Sequence, residues 1–241
     1  MILRRIASSL KRLDLVSFLI ELLLVIAGVL AALQVNNWNE ERKDQDGLAL
    51  SLTRLEAEAK FNIDITQQQI DLINDRRGIW RSAGELLDSC NSTAEGAAVI
   101  SQAVFELTAD FVPSFQLASL DELSRQDRYL NQLSANFRTS LNEYRYRLTE
   151  IDDQLIINYG LMWDDHVVRL PVWDADLNLE HSANPLKLAV PVEELCKNTR
   201  FRAQFAITRA FVDSADRFSN DLLEVTERFV AEIQREQERP S

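Results

Sequence analysis

Residues 15–35 read LVSFLIELLLVIAGVLAALQV, a run of 21 residues in which Glu21 is the only charged side chain. A hydrocarbon core of about 30 Å is crossed by about 20 apolar residues in a helix. The run therefore predicts one transmembrane helix over residues 15–36. No second run of this kind occurs in the sequence.

Basic side chains are concentrated before this run, at Arg4, Arg5, Lys11 and Arg12. The charges that follow it, in EERKD at residues 40–44, nearly cancel. By the positive-inside rule the N-terminus stays in the cytoplasm. We therefore expect a short cytoplasmic tail, a membrane helix and an extracytoplasmic domain, at residues 1–14, 15–36 and 37–241.

Two other interpretations of the N-terminal segment stay open at this point. A cleaved signal peptide would use the small residues around Val29-Leu30-Ala31, although the apolar run exceeds the usual h-region of about 7–15 residues. A type IV pilin-like start would use Phe18 and Glu21, but Ser17 replaces the glycine and Glu21 is fourth rather than fifth. A retained membrane anchor fits the run better than either.

One face of the expected membrane helix combines an acid with small residues. At about 100° per residue, Glu21, Gly28 and Ala32 lie close together, and Gly28-x-x-x-Ala32 is a spacing that lets helices approach closely. Ionisable groups inside a span usually face a partner or a polar cavity. This face predicts packing against another transmembrane protein or a second copy, the alternative being an acid that snorkels toward water. Trp38 is expected as an anchor at the lipid interface.

The stretch from Glu21 to Lys43, ELLLVIAGVLAALQVNNWNEERK, resembles the signature of a bacterial family of single-pass membrane proteins of unknown function. The resemblance covers residues 15–60, and residues 111–144 are similar to the middle section of that family. It implies a single membrane helix and a helical extracytoplasmic domain. It brings no catalytic residue with it.

Composition limits the partners. The chain has a net charge of −12, and beyond residue 36 it keeps 22 basic against 36 acidic residues. Such a domain is repelled by nucleic acid and by anionic headgroups. We expect no nucleic acid partner, and contact with the lipid bilayer only through the span.

Cys90 and Cys196 are the only cysteines, and both fall in the expected periplasmic domain. An oxidising compartment allows a disulfide between them. Sequence alone leaves open whether they pair or lie apart as two small buried residues.

Apolar residues recur at helical spacing through most of the remaining chain. The pattern predicts long helices over residues 39–87, 134–166 and from Asn198 or Thr199 to Pro240, the first continuing from the membrane helix and weakened at most at Gly47, Gly78 or Gly84. Short helices are expected after the capping sequences Ser92-Thr93-Ala94-Glu95 and Ser119-Leu120-Asp121-Glu122. Residues 169–196 should form an irregular excursion without strands. The predicted fold is all-α, with an antiparallel bundle outside the membrane.

Candidate chemistry is sparse. Carboxylates and imidazoles occur together in Trp163-Asp164-Asp165-His166 and at Asp174, Asp176 and His181, but their spacing matches no defined metal site, and chance proximity is the simpler interpretation. Phosphate-binding loops, paired-cysteine motifs and G-x-S-x-G are absent from the sequence. We therefore expect no cofactor, no metal and no enzymatic activity.

Two functions fit these features. The first is a non-enzymatic inner-membrane protein whose periplasmic domain binds or senses a ligand or partner and couples laterally through its membrane helix. The alternative is a structural or assembly subunit of an envelope complex, in which the helical domain is a spacer and a docking surface.

Overall fold

The computed structural model describes residues 2–90, 93–108, 112–164, 166–175 and 184–239, with side chains from Ser17 onward except at Ala175. The all-α class predicted from the sequence is confirmed, and a long apolar helix lies at the N-terminus. The helices are α1 Ile2–Ser89, α2 Ala94–Glu106, α3 Ala118–Ser124, α4 Asp127–Leu130, α5 Ala135–Asp164, α6 Val192–Leu195 and α7 Thr199–Gln237.

The chain divides into two units, Met1–Ser51 and Leu52–Ser241, and α1 contributes to both. In the first unit α1 carries the apolar run, and its described side chains are almost all exposed. α1 is helical through Gly47, Gly78 and Gly84. The three glycines therefore do not interrupt the helix, although each lowers helix stability by about 1 kcal/mol relative to alanine.

The second unit has one hydrophobic core, to which α1, α5 and α7 contribute most. Burial of these side chains is the main favourable term in its stability. The largest fully buried side chains are Trp80, Tyr144, Phe137, Phe201, Leu55, Ile73, Ile100, Leu107, Leu120, Leu123, Leu141 and Leu148.

Polar contacts within the second unit link α1 with α7, and residues further along α1 contact residues earlier in α7. Gln234 donates to Glu56 at 3.0 Å, Arg77 pairs with Asp216 at 2.6 Å, and Arg202 pairs with Asp88 at 2.6 Å. Ser134, the residue before α5, is linked to the end of α7 in a similar way. Its backbone amide and its hydroxyl both donate to the Glu236 carboxylate.

Helix α3 is capped by a side chain from another helix. Glu58 of α1 is 6% exposed, and its two carboxyl oxygens accept the amides of Ser119 at 2.7 Å and Leu120 at 3.0 Å. The cap predicted at Ser119 is therefore wrong, since Ser119 lies inside a helix whose N-cap is Leu117. A carboxylate at a helix N-terminus satisfies unpaired amides and interacts favourably with the helix dipole.

Asn62 lies one helical turn after Glu58 and holds the segment just before α3. Its amide donates to the Gln116 carbonyl and to the Tyr144 hydroxyl, and its oxygen accepts the Gln116 amide at 2.8 Å. Burial raises the pKa of Tyr144 to about 12. Tyr144 stacks on Phe229 with ring centroids 4.3 Å apart. A hydrogen bond from α1 to α5 and an aromatic stack from α5 to α7 thus meet at Tyr144 in the core.

The other sequence-based boundaries differ from the structure in two places. The N-cap of α2 is Thr93, whose hydroxyl accepts the Gly96 amide at 3.0 Å, so the predicted pairing of Ser92 with Glu95 is displaced by one residue. Residues 169–196 are not strand-free, because Trp173–Ala175 and Leu186–Leu188 form a two-stranded antiparallel ladder. A short 3-10 helix, Val167–Arg169, precedes them. Pro240 and Ser92 lie outside the described residues.

We predict that Glu58→Ala lowers the free energy of unfolding by about 2–3 kcal/mol, because two buried amides at the start of α3 lose their acceptors. Chemical unfolding of the full chain in mild detergent, followed by circular dichroism, measures this. Glu85 is exposed on the same helix. An equal loss in Glu85→Ala would show that the effect is not due to the cap.

Candidate functional site

The apolar part of α1 is the first candidate surface. Its most apolar 18-residue window has a mean hydropathy of 2.5, and none of that window is buried. The helix is long and apolar enough to cross a membrane by length and composition, which is weak evidence by itself since a signal sequence passes the same test. Leu23, Leu24 and Val35 are among its large exposed side chains, at 64%, 68% and 65%.

Glu21, Gly28 and Ala32 are all exposed on this part of α1. A Cβ atom added at Gly28 would meet no atom within 4 Å. The helical repeat places the three residues on one side, so the face is open along its length. Packing against this face stays a prediction. Trp38 is 61% exposed, and its anchoring role also stays a prediction.

Cys90 and Cys196 form a disulfide with a Cα–Cα distance of 5.6 Å. It links the residue after α1 to the residue after α6, close to the start of α7. Cys90 has φ of 50°, a left-handed conformation that ends α1. The bridge spans 106 residues of sequence, and by chain entropy a loop of about 100 residues gives about 4–5 kcal/mol of stabilisation.

His166 is fully buried, and both nitrogens of its ring form hydrogen bonds with the backbone. Its Nδ1 accepts the Val168 amide at 3.0 Å, so Nε2 carries the proton and donates to the Leu107 carbonyl at 3.1 Å. Trp163 stacks on the ring at 4.7 Å. Burial lowers the pKa of His166 below its ordinary value and keeps the ring neutral.

Neither nitrogen of His166 is therefore open to a metal ion. Among the described residues no group of three or more His, Cys, Asp or Glu side chains is placed to hold a metal. Asp165, Asp176 and His181, which the sequence suggested as further ligands, lie outside the described residues.

A groove of about 430 Å³ lies between α5 and α7. Buried Ile151 and half-buried Phe218 and Val225 supply its apolar lining. A second depression of about 160 Å³, floored by Tyr144 and Phe229, shares residues with it and extends it along the same two helices. Cavities of about 300–1,000 Å³ are typical of ligand sites. Both depressions lie within the second unit.

Charged side chains form the two walls of this α5–α7 groove. Arg147 pairs with Glu150 at 3.0 Å on α5, and Arg228 pairs with Glu224 at 3.9 Å on α7. The remaining charged residues lining the two depressions are acidic, namely Glu143, Asp221 and Glu232. The groove therefore has an apolar floor and a negative rim.

Sequence periodicity did not indicate this groove. Phe218 and Val225 belong to the apolar stripe of α7, and that stripe predicted them in the core. In the structure Ser219 and Thr226 are buried instead, at 1% and 0% exposure. Ala215, Leu222 and Phe229 of the same stripe are buried as predicted, so the error is confined to two positions at which a small polar residue follows an apolar one.

Comparison with known proteins identifies no relative. No family model matches the chain, and no curated protein and no solved structure matches it.

The environment of His166 predicts a pH dependence of stability. Because burial lowers the pKa of the folded state, the unfolded state takes up a proton first, below about pH 6.5. Stability should be fully present above the ordinary pKa of histidine and should fall as the pH is lowered below about 6.5. Thermal unfolding in mild detergent measures this. The protein used carries His181→Gln, so that His166 is its only histidine.

In that background His166→Gln should be less stable by about 1–3 kcal/mol at pH 8, because two buried hydrogen bonds are lost. It should also lose most of the decrease in stability that the His181→Gln background shows below about pH 6.5. An unchanged decrease would contradict the assignment. A zinc-dependent rise in Tm that disappears in His166→Gln would instead favour a metal site.

Proposed function

We propose that this chain is a non-enzymatic, single-pass protein of the bacterial inner membrane. Its periplasmic helical domain binds or senses a partner and couples laterally through the membrane helix. The observation that carries the proposal is the apolar window of α1, of which none is buried. Removing such a surface from water is favourable by about 25 cal/mol for each Å², and a bilayer is the environment that accepts a helix of this length.

The proposed orientation rests on charge. Arg4, Arg5, Lys11 and Arg12 precede the span, and the positive-inside rule retains such residues in the cytoplasm. The extracytoplasmic compartment is oxidising, which is consistent with the Cys90–Cys196 disulfide. We propose membership of the single-pass family on the resemblance of residues 21–43.

We propose that α1 from Leu52, α5 and α7 form an antiparallel bundle outside the membrane. The order of the contacts supports this: Glu56 meets Gln234 near one end, and Asp88 meets Arg202 near the other. Short connections and helical hydrophobic stripes are typical of such bundles. A binding role is supported by the α5–α7 groove, which is open to solvent and has both apolar and charged walls.

Lateral coupling is assigned to the membrane face formed by Glu21, Gly28 and Ala32. Small residues allow a second helix to approach closely, and a carboxyl group in hydrocarbon gains from a hydrogen-bond partner. The face is unoccupied by the chain's own described side chains.

We predict that Glu21→Leu and Gly28→Leu each reduce cross-linking within the membrane, to itself or to a co-purified protein, by about fivefold or more. The first removes a hydrogen-bonding group and the second blocks close approach, and such contacts contribute about 1 kcal/mol each. The measurement is photo-cross-linking of the full chain in native membranes, followed by affinity purification and mass spectrometry.

Gln34→Leu and Ala27→Leu are the matched controls, because they make the same kinds of change on the opposite side of the helix. Both should leave cross-linking unchanged. If all four variants cross-link like the wild type, the face does not carry the coupling. A partner that is lost in the two face variants alone supports it.

A further inference from the structure

The α5–α7 groove has the form of an incomplete helical packing surface. Between Ser140 and Gln154 it follows α5 for 14 residues, or about 21 Å at a rise of about 1.5 Å per residue. Its floor is made by residues of α5 and α7 that face each other, including Tyr144 against Phe229 at 4.3 Å.

Two apolar side chains of α7 are left partly exposed at the groove. Phe218 and Val225 are half-buried, although the core positions beside them are filled by Ser219 and Thr226. Apolar surface is thus placed at the groove while small polar residues point into the bundle. A helix laid along the groove would cover this surface with residues spaced i, i+3, i+4 and i+7.

The charged side chains along the groove favour a positively charged partner. Glu143 on the α5 wall and Asp221 on the α7 wall form no ion pair with any described residue and are exposed. Both arginines lining the groove already have carboxylate partners, Arg147 with Glu150 and Arg228 with Glu224. Like charge disfavours an acidic partner at such a rim, and opposite charge steers a basic one to it.

We propose that the α5–α7 groove is the docking site for a basic amphipathic helix of a partner protein, about four turns long. Its apolar face lies on Phe218, Val225 and Ile151, and its flanking Lys or Arg side chains pair with Glu143 and Asp221. The added helix brings the bundle to four, an arrangement that recurs in helical proteins. The proposal specifies which class of partner the periplasmic domain binds, and it therefore rests on the binding role proposed above.

The test uses the full chain in zwitterionic nanodiscs and three synthetic 15-residue helical peptides. The first has Leu on one face and Lys on the flanks, the second has Glu in place of Lys, and the third has Ser in place of Leu. Calorimetric titration against empty nanodiscs measures binding. The first peptide should bind, and the other two should bind at least about tenfold more weakly. Raising the salt concentration from 50 to 300 mM should weaken the first peptide, because rim charges are screened.

The rim is tested with the double variant Glu143→Lys/Asp221→Lys, which should weaken the Leu/Lys peptide by about tenfold. Its matched control is Glu85→Lys/Glu227→Lys, which makes the same change of net charge at exposed positions outside the groove. Carbodiimide, which joins a lysine to a carboxylate in contact with it, should link the peptide to Glu143 and Asp221 in the wild type.

Several results would overturn the proposal. These are no binding of the Leu/Lys peptide, equal binding of the Leu/Glu peptide, equal weakening in the two double variants, or cross-links only at carboxylates outside the groove. Displacement of the peptide by spermidine at equal charge concentration would assign the groove to small organic cations instead. Failure here leaves the cross-linking of the membrane face unaffected, so the two proposals fail separately.

Discussion

The constraint on which this account depends is an apolar helix that no described residue of the chain covers. The 18-residue window within α1 has a mean hydropathy of 2.5 and no buried part. A water-soluble chain exposes apolar residues singly, and a contiguous surface of this size marks an interaction with lipid or protein. The proposed placement of the acidic domain, the proposed compartment of the disulfide and the proposed role of Glu21 all depend on where this helix lies.

The second unit is held by a few long-range polar contacts set into an apolar core. Glu58 and Asn62 on α1 fix the chain near residue 116, and the Cys90–Cys196 bridge fixes the end of α1 to the start of α7. Each contact joins segments at least 50 residues apart, so each restricts many conformations of the unfolded chain. Asn62 also donates to the hydroxyl of Tyr144, which lines the second depression of the α5–α7 groove. These contacts restrict the residues beneath the groove, and a preorganised surface binds with less loss of entropy.

Periodicity predicted the long helices well, because α5 and α7 each bury one continuous stripe. Residues 134–166 were expected where α5 is Ala135–Asp164, and Asn198 was expected as a cap and accepts the Phe201 amide. The same reasoning could not find the Glu58 cap, whose partner lies 61 residues away. It also could not find strands of three residues, which are too short to show an alternating pattern. The groove depends on Phe218 and Val225 of α7, which are only half-buried while Ser219 and Thr226 beside them are buried. Hydrophobicity alone favours the apolar residue of each pair for the core, so the groove could not be predicted from the sequence.

The most direct test fuses alkaline phosphatase, which is active only outside the cytoplasm, to the C-terminus of the full chain and determines where the fusion is found and whether it is active. Membranes are extracted at alkaline pH, and the fusion is assayed for activity and mass in pellet and supernatant. The account predicts an active fusion of full-length mass that stays in the pellet. An inactive fusion would contradict the orientation, and a soluble fusion shortened by cleavage of its N-terminal residues would contradict the anchor.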